Sequence, residues 1–226
     1  MKFSVIVVLC SLVCGAGWQD AKAQIAPSTL ELARYEGLFK AAADGDLASI
    51  SALLSSGANV AARDAAGRTA YLIAAFQQQR QAMRLLAQAG ADTNALERQA
   101  YDAVTIAAVA DDVETLKIAL ETGNSASNIT SPYNGTALIA AAHLGHDEVV
   151  KILIEAGAPL DHINSLGWTA LIEAVMLGDG GERHVNVAKA LVAAGADGRI
   201  TDGGGFTPLE LAKQRGFSEM MKALEN

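Results

Sequence analysis

Two unrelated residue patterns recur along this chain in one irregular rhythm, and nothing else in the sequence restricts its fold as tightly. An apolar pair followed shortly by glycine appears at Leu53-Leu54 with Gly57, Leu85-Leu86 with Gly90, Ala119-Leu120 with Gly123, Leu153-Ile154 with Gly157 and Leu191-Val192 with Gly195. These glycines stand 33, 33, 34 and 38 residues apart. A second marker, Thr69-Ala70-Tyr71-Leu72, returns as Asp102-Ala103-Val104-Thr105, Thr136-Ala137-Leu138-Ile139, Thr169-Ala170-Leu171-Ile172 and Thr207-Pro208-Leu209-Glu210, at spacings of 33, 34, 33 and 38. A period of this length marks a supersecondary unit that cannot bury its apolar side alone and must stack on copies of itself. Each unit carries two short helical patterns, such as residues 136–144 and 147–155. Helices of two or three turns do not survive alone in water. Ala140, Ala141, Val149, Leu153 and Ile154 are therefore expected in a core shared between neighbours. The five glycines fall just past the second pattern, where a left-handed residue ends a helix.

The phrase Gly145-His146-Asp147-Glu148-Val149-Val150-Lys151-Ile152-Leu153-Ile154-Glu155-Ala156-Gly157-Ala158 resembles the core of the ankyrin repeat family. Gly57-Ala58-Asn59-Val60, Gly90-Ala91-Asp92-Thr93-Asn94 and Gly195-Ala196-Asp197 resemble its hairpin openings. The resemblance covers about residues 28–226 and implies an all-α solenoid of about six stacked helix-turn-helix units joined by hairpin loops. The expected division is a leader over 1–23, a lead-in over 24–35, and units over 36–68, 69–101, 102–135, 136–168, 169–206 and 207–226. Ser28-Thr29-Leu30-Glu31 reads as a capping box at the start. Glu219, Lys222 and Glu225 give the other end a polar face. The family's histidine after Thr-Pro-Leu is replaced by Leu72, Thr105, Ile139, Ile172 and Glu210, which puts the polar network it supports in doubt. Gln77-Gln78-Gln79-Arg80 and Ala110-Asp111-Asp112 stand where the family has Gly-His, so units two and three are expected to be locally weaker.

The first residues read as an address. Lys2, an apolar stretch from Phe3 to Val13, and Ala21-Lys22-Ala23 before Gln24 make the three parts of a secretory leader. The stretch is too short to cross a bilayer, since Gly15, Gly17, Gln19 and Asp20 interrupt it. Lipidation at Cys14 is the other alternative, but Val13 before it is bulky for a lipobox. Cleavage would leave no thiol, because Cys10 and Cys14 are the only cysteines, and would place the protein in the periplasm or outside the cell with no stable membrane insertion.

Catalysis finds little support. There is no glycine-rich phosphate loop, no Gly-x-Ser-x-Gly elbow and no His-Glu-x-x-His. His146 and His184 occupy the family's Gly-His station, a structural one; His143 and His146, with Asp161-His162, are the nearest approach to a metal site. No enzyme activity, metal or cofactor is expected. The net charge of −8 argues against nucleic acid.

The expected partner is another protein, held by a monomer on the concave face. Arg68, Tyr101, Trp168 and Phe206 stand just before the recurring threonine or aspartate, with Tyr133 near the same register. Aromatic residues and arginine dominate binding hot spots, although aromatics at this position could also pack between hairpins. Phe76, His143 and Met176 form a second row at the ends of the first helices. Residues 99–182 hold 2 basic groups against 12 acidic ones, a net of −10, either a solubilising face or a field that steers a basic partner through Asp111, Asp112 and Glu114. Asp179-Gly180-Gly181-Glu182-Arg183 is an insert, read as a mobile loop that either contacts the partner or is neutral. By resemblance, such an exported module assists an envelope or oxidative-stress enzyme, or acts as an immunity protein against a basic toxin.

Overall fold

The structure, a computed structural model, describes residues 24–225. The leader reading falls on residues 1–23 and lies outside the described residues. A short helix α1 (Thr29–Arg34) precedes six helix pairs: α2 (Gly37–Asp44) with α3 (Leu47–Ser55), α4 (Ala70–Phe76) with α5 (Arg80–Gln88), α6 (Ala103–Val109) with α7 (Val113–Glu121), α8 (Ala137–Leu144) with α9 (Asp147–Glu155), α10 (Ala170–Met176) with α11 (Glu182–Ala193), and α12 (Pro208–Arg215) with α13 (Ser218–Leu224). First helices stack on first helices and second on second, so two parallel rows share one core. The only extended pairing among the described residues is two isolated bridges, Arg63 with Thr69 and Thr130 with Gly135.

The recurring threonine or aspartate is the reason each first helix starts where it does. Thr69, Asp102, Thr136, Thr169 and Thr207 are N-caps whose side-chain oxygens accept the N–H of Leu72, Thr105, Ile139, Ile172 and Glu210. Each such cap contributes about 1 kcal/mol. Ser28 and Glu31 form the expected capping box on α1. The five glycines end the second helices with φ between 80° and 99°. Paired alanines such as Ala74-Ala75, Ala107-Ala108 and Ala141-Ala142 are buried and let the first helices approach closely. The expected core differs from the observed one at two places. Ala140 and Ile154 are only half-buried, while Ala142 and Val150 are fully enclosed.

The turn inside each unit carries its own strain record. Gly45, Gly145 and Gly216 hold φ near 70° there, but Gln78 (56°) and Asp111 (54°) take the same left-handed turn with side chains. A non-glycine residue pays about 1 kcal/mol for that conformation. Gln78→Gly should therefore raise stability by up to about 1 kcal/mol, visible as a higher urea midpoint. An unchanged or lower midpoint would show that unit two carries no backbone strain.

Candidate partner interface

The hairpins between units are held by a residue five before each N-cap. Asp64 Oδ1 accepts the N–H of Ala66 and Arg68, both at 2.9 Å. Glu97 does the same for Gln99 and Tyr101, Ser131 for Tyr133 and Gly135, Asn164 for Leu166 and Trp168, and Asp202 for Gly204 and Phe206. This series steps by 33, 34, 33 and 38, a third marker in the same rhythm that inspection for apolar pairs and threonines passes over. Backbone bonds then tie hairpin to hairpin: Arg98 N to Ala66 O, Ser131 N to Ala100 O and Ser165 N to Tyr133 O.

On this scaffold the expected contact residues part company. Arg68 is fully buried, and this is a correction: its guanidinium binds Asp64 Oδ2 at 2.6 Å, the Glu31 carboxylate and the Ile25 carbonyl. Tyr101 is also enclosed, 8% exposed, and burial pushes its hydroxyl pKa up to about 12. Neither is available to a partner. For Arg68 the cause is the lead-in, which folds back over the Arg68 hairpin and reaches α6. Gln24 Nε2 donates to the Thr105 carbonyl at 2.9 Å, Pro27 is buried, and the Tyr35 hydroxyl donates to Asp64 Oδ2 at 2.6 Å.

Beyond the lead-in the hairpin side is open. Phe206 is 43% exposed, and Ile129 and Ile163, on the two preceding hairpins, are 46% and 50% exposed. Tyr133 and Trp168 are half-buried, as are Phe76, His143 and Met176 at the ends of their helices; Trp168, Phe76 and Met176 pack against the core.

The acidic residues meant to steer a partner are mostly spent inside the molecule. Asp112 caps α7 through Thr115 and binds Arg80 at 2.9 Å, leaving its side chain 9% exposed. Asp111 pairs with Arg183 at 2.8 Å, and Glu114 stands 3.7 Å from Lys117. Glu114 alone of the three is a well-exposed carboxylate. The insert makes contacts of its own. Its Arg183 reaches back to Asp111 and, at 3.5 Å, to Asp147. His184 Nδ1 bonds Asp179 at 3.0 Å while Nε2 donates to the His143 carbonyl. Arg215 donates to the carbonyls of Met176 and Gly178, and a Cβ on Gly180 would stand 2.5 Å from the Phe217 ring. The glycines there serve close packing.

A family profile for ankyrin repeats (3 copies) matches residues 104–202, and one for ankyrin repeats (many copies) matches residues 38–87. The ankyrin repeat protein YahD of Escherichia coli (strain K12) is 34% identical over 185 residues, 81% of this chain and 92% of its own. The chain belongs to the ankyrin repeat family. A solved ankyrin repeat domain from Acinetobacter baumannii AYE is 38% identical with a TM-score of 0.78, covering 83% of this chain and 95% of that one. The structure of the Bdellovibrio bacteriovorus predatory endopeptidase Bd0816 in complex with the immunity protein Bd3460 contributes a further match, at 22% identity and TM-score 0.69, over 84% of this chain and 97% of the matched one. At that identity the likeness concerns the fold.

Within this ankyrin stack the Gly-His station works as an inter-unit tie. His146 Nδ1 donates to the Ala108 carbonyl at 2.8 Å, His184 to the His143 carbonyl, and Gln79 Nε2 to the Ala43 carbonyl at 3.3 Å. The divergent second unit keeps the tie with a different side chain. Among the described residues no group of three or more His, Cys, Asp or Glu is placed to hold a metal ion, and no helix is long and apolar enough to cross a membrane.

Proposed function

We propose that this ankyrin repeat module is exported and holds a protein partner along its hairpin side, on the stretch running from Ile129 past Trp168 to Phe206. The observation that carries this reading is that each of three consecutive hairpins leaves one large apolar side chain exposed, Ile129, Ile163 and Phe206. Neighbouring exposed apolar groups of this kind favour a covered surface. The half-buried Tyr133 and Trp168 beside them are of the types that anchor interfaces. The net of −10 over residues 99–182 suits a basic partner, with Glu114 free to add to its approach. Export rests on the leader pattern of residues 1–23, and the module acts as a monomer without cofactor.

Two roles fit. One is assistance to an envelope enzyme, with moderate, salt-sensitive affinity. The other is an immunity protein neutralising a basic toxin; the fold it shares with the Bd0816–Bd3460 complex and the acidic middle favour that reading.

A photo-crosslinking amino acid placed at Phe206 or Ile163 in cells should give one discrete heavier adduct. The same group at Lys117 or Lys151, exposed on the second helices, should give none. Equal labelling from both sides, or none from the hairpins, removes the assignment. Fractionation with an intact mass beginning at Gln24 checks export, and a full-length mass in the cytoplasm rejects it.

A further inference from the structure

One buried carboxylate interrupts an otherwise aliphatic column. Four residues after each N-cap, the first helices carry Ile73, Ile106, Ala140 and Leu211, and in unit five Glu173. The Glu173 side chain is 4% exposed. Asn164 Nδ2 satisfies its Oε1 at 2.8 Å, but Oε2 is buried with no hydrogen-bond partner. The nearest cation-forming group is His143, whose Nδ1 stands 3.4 Å from Oε2, within ion-pair range but not hydrogen-bonded to it. Buried polar atoms without partners are rare and costly, and a break in an otherwise aliphatic register tends to mark function. Glu97 also leaves Oε2 unpaired, but it holds its hairpin in the same series as Asp64 and Asn164. Glu173 holds no backbone.

Its surroundings lead to the hairpin side. Asn164 Oδ1 accepts the Trp168 backbone N–H at 3.1 Å while its Nδ2 donates to Glu173, so the carboxylate orients the amide that holds the Trp168 hairpin. His143, 29% exposed, covers Oε2 from the last turn of α8. The molecule also displays how this side takes an extended chain. Over units two and three, residues 24–27 are held by Arg68 on the Ile25 carbonyl and by Gln24 on the Thr105 carbonyl, and the Arg68 cation captures Glu31. In unit five the sign is reversed: a buried carboxylate within the acidic stretch, tied through Asn164 to the hairpin that carries Trp168.

We propose that Glu173 is the anchor for a cationic side chain, arginine or lysine, on an extended segment of the protein partner laid over units four to six. The inference rests on the partner reading above. The cation enters by displacing His143, pairs with Oε2 and lies against Trp168, where a ring face adds cation–π attraction. Arginine fits best, because its planar fork can meet the carboxylate while its face meets the ring. A carboxylate kept here without its partner costs the free protein stability, and an aliphatic residue would relieve that cost.

The probe is N-acetyl-arginine amide, with N-acetyl-citrulline amide as its uncharged counterpart, titrated into the purified protein while NMR follows the Trp168 indole and the His143 ring. Arginine should give a saturable shift, weakened by about tenfold or more in Glu173→Gln and absent for citrulline. Glu173→Ile should lose the response and melt higher than the wild type. Overturning results are citrulline titrating like arginine, a Glu173 variant that keeps the arginine response, or a Glu173→Ile chain that melts lower, which would make the carboxylate structural. Crosslinking from Phe206 together with no arginine response defeats this anchor alone. Failure of the crosslink defeats the partner reading itself.

Discussion

Replacing Arg68 by alanine is expected to destabilise the protein by about 3–5 kcal/mol. The guanidinium is fully buried and sits between the Asp64 and Glu31 carboxylates. Its loss leaves the Asp64 side chain, 7% exposed, with an uncompensated charge and only the Tyr35 hydroxyl as a side-chain partner. It also frees the Ile25 carbonyl, so the lead-in should come away from units two and three. Hydrogen exchange should report that release at residues 24–36 before the rest melts. Acid offers a second route to the same segment. The Glu31 pKa is lowered to about 2, first by the Ser28 hydroxyl and backbone and then by Arg68. A lowered carboxylate pKa contributes stability that is present above the ordinary value near 4.5 and lost as pH falls toward 2. Protection of the lead-in should decline across that window. A variant within about 1 kcal/mol of the wild type would deny Arg68 its clamping role.

Leu138→Ala should cost about 2–5 kcal/mol. Leu138 is fully buried in α8, which packs on α6, α9 and α10, so the cavity opens at the centre of both rows. Leu30→Ala removes the same atoms from a side chain 60% exposed and should change stability by less than about 0.5 kcal/mol. Urea unfolding of the pair separates packing from composition. Similar midpoints would contradict a core continuous through unit four.

Helix pairing, the Ser28 capping box and the end glycines were legible in the sequence because each depends on residues within one turn or one unit, whereas the recurring threonine or aspartate stands out there as a marker and not as a cap. Thr136 caps α8 through Ile139, three residues on. The phase of the core at Ala140 and Ile154 was less legible, since both faces of a short alanine-rich helix look alike until neighbours are placed. The burial of Arg68 was not legible at all. It is set by Ile25 and Glu31, 43 and 37 residues upstream. Register correctly put Arg68 and Trp168 at equivalent stations, but only the folded lead-in decides which station is covered. The contacts of the insert were hidden for the same reason, since Phe217 lies against Gly180 from 37 residues downstream. Glu173 could have been found by laying the first helices in register and asking which column breaks.

The ties that skip a neighbour give the two ends different mechanics. Gln24 joins the lead-in to α6, past the second unit, and Arg183 joins the fifth unit to the third. A load applied at the amino end meets those bonds and the buried Arg68 pairs in shear, so the first three units should yield in one rupture. At the carboxyl end α12 and α13 are fastened to the unit beside them, through Arg215 and the packing of α10 and α11, so the same load should unzip them first at lower force.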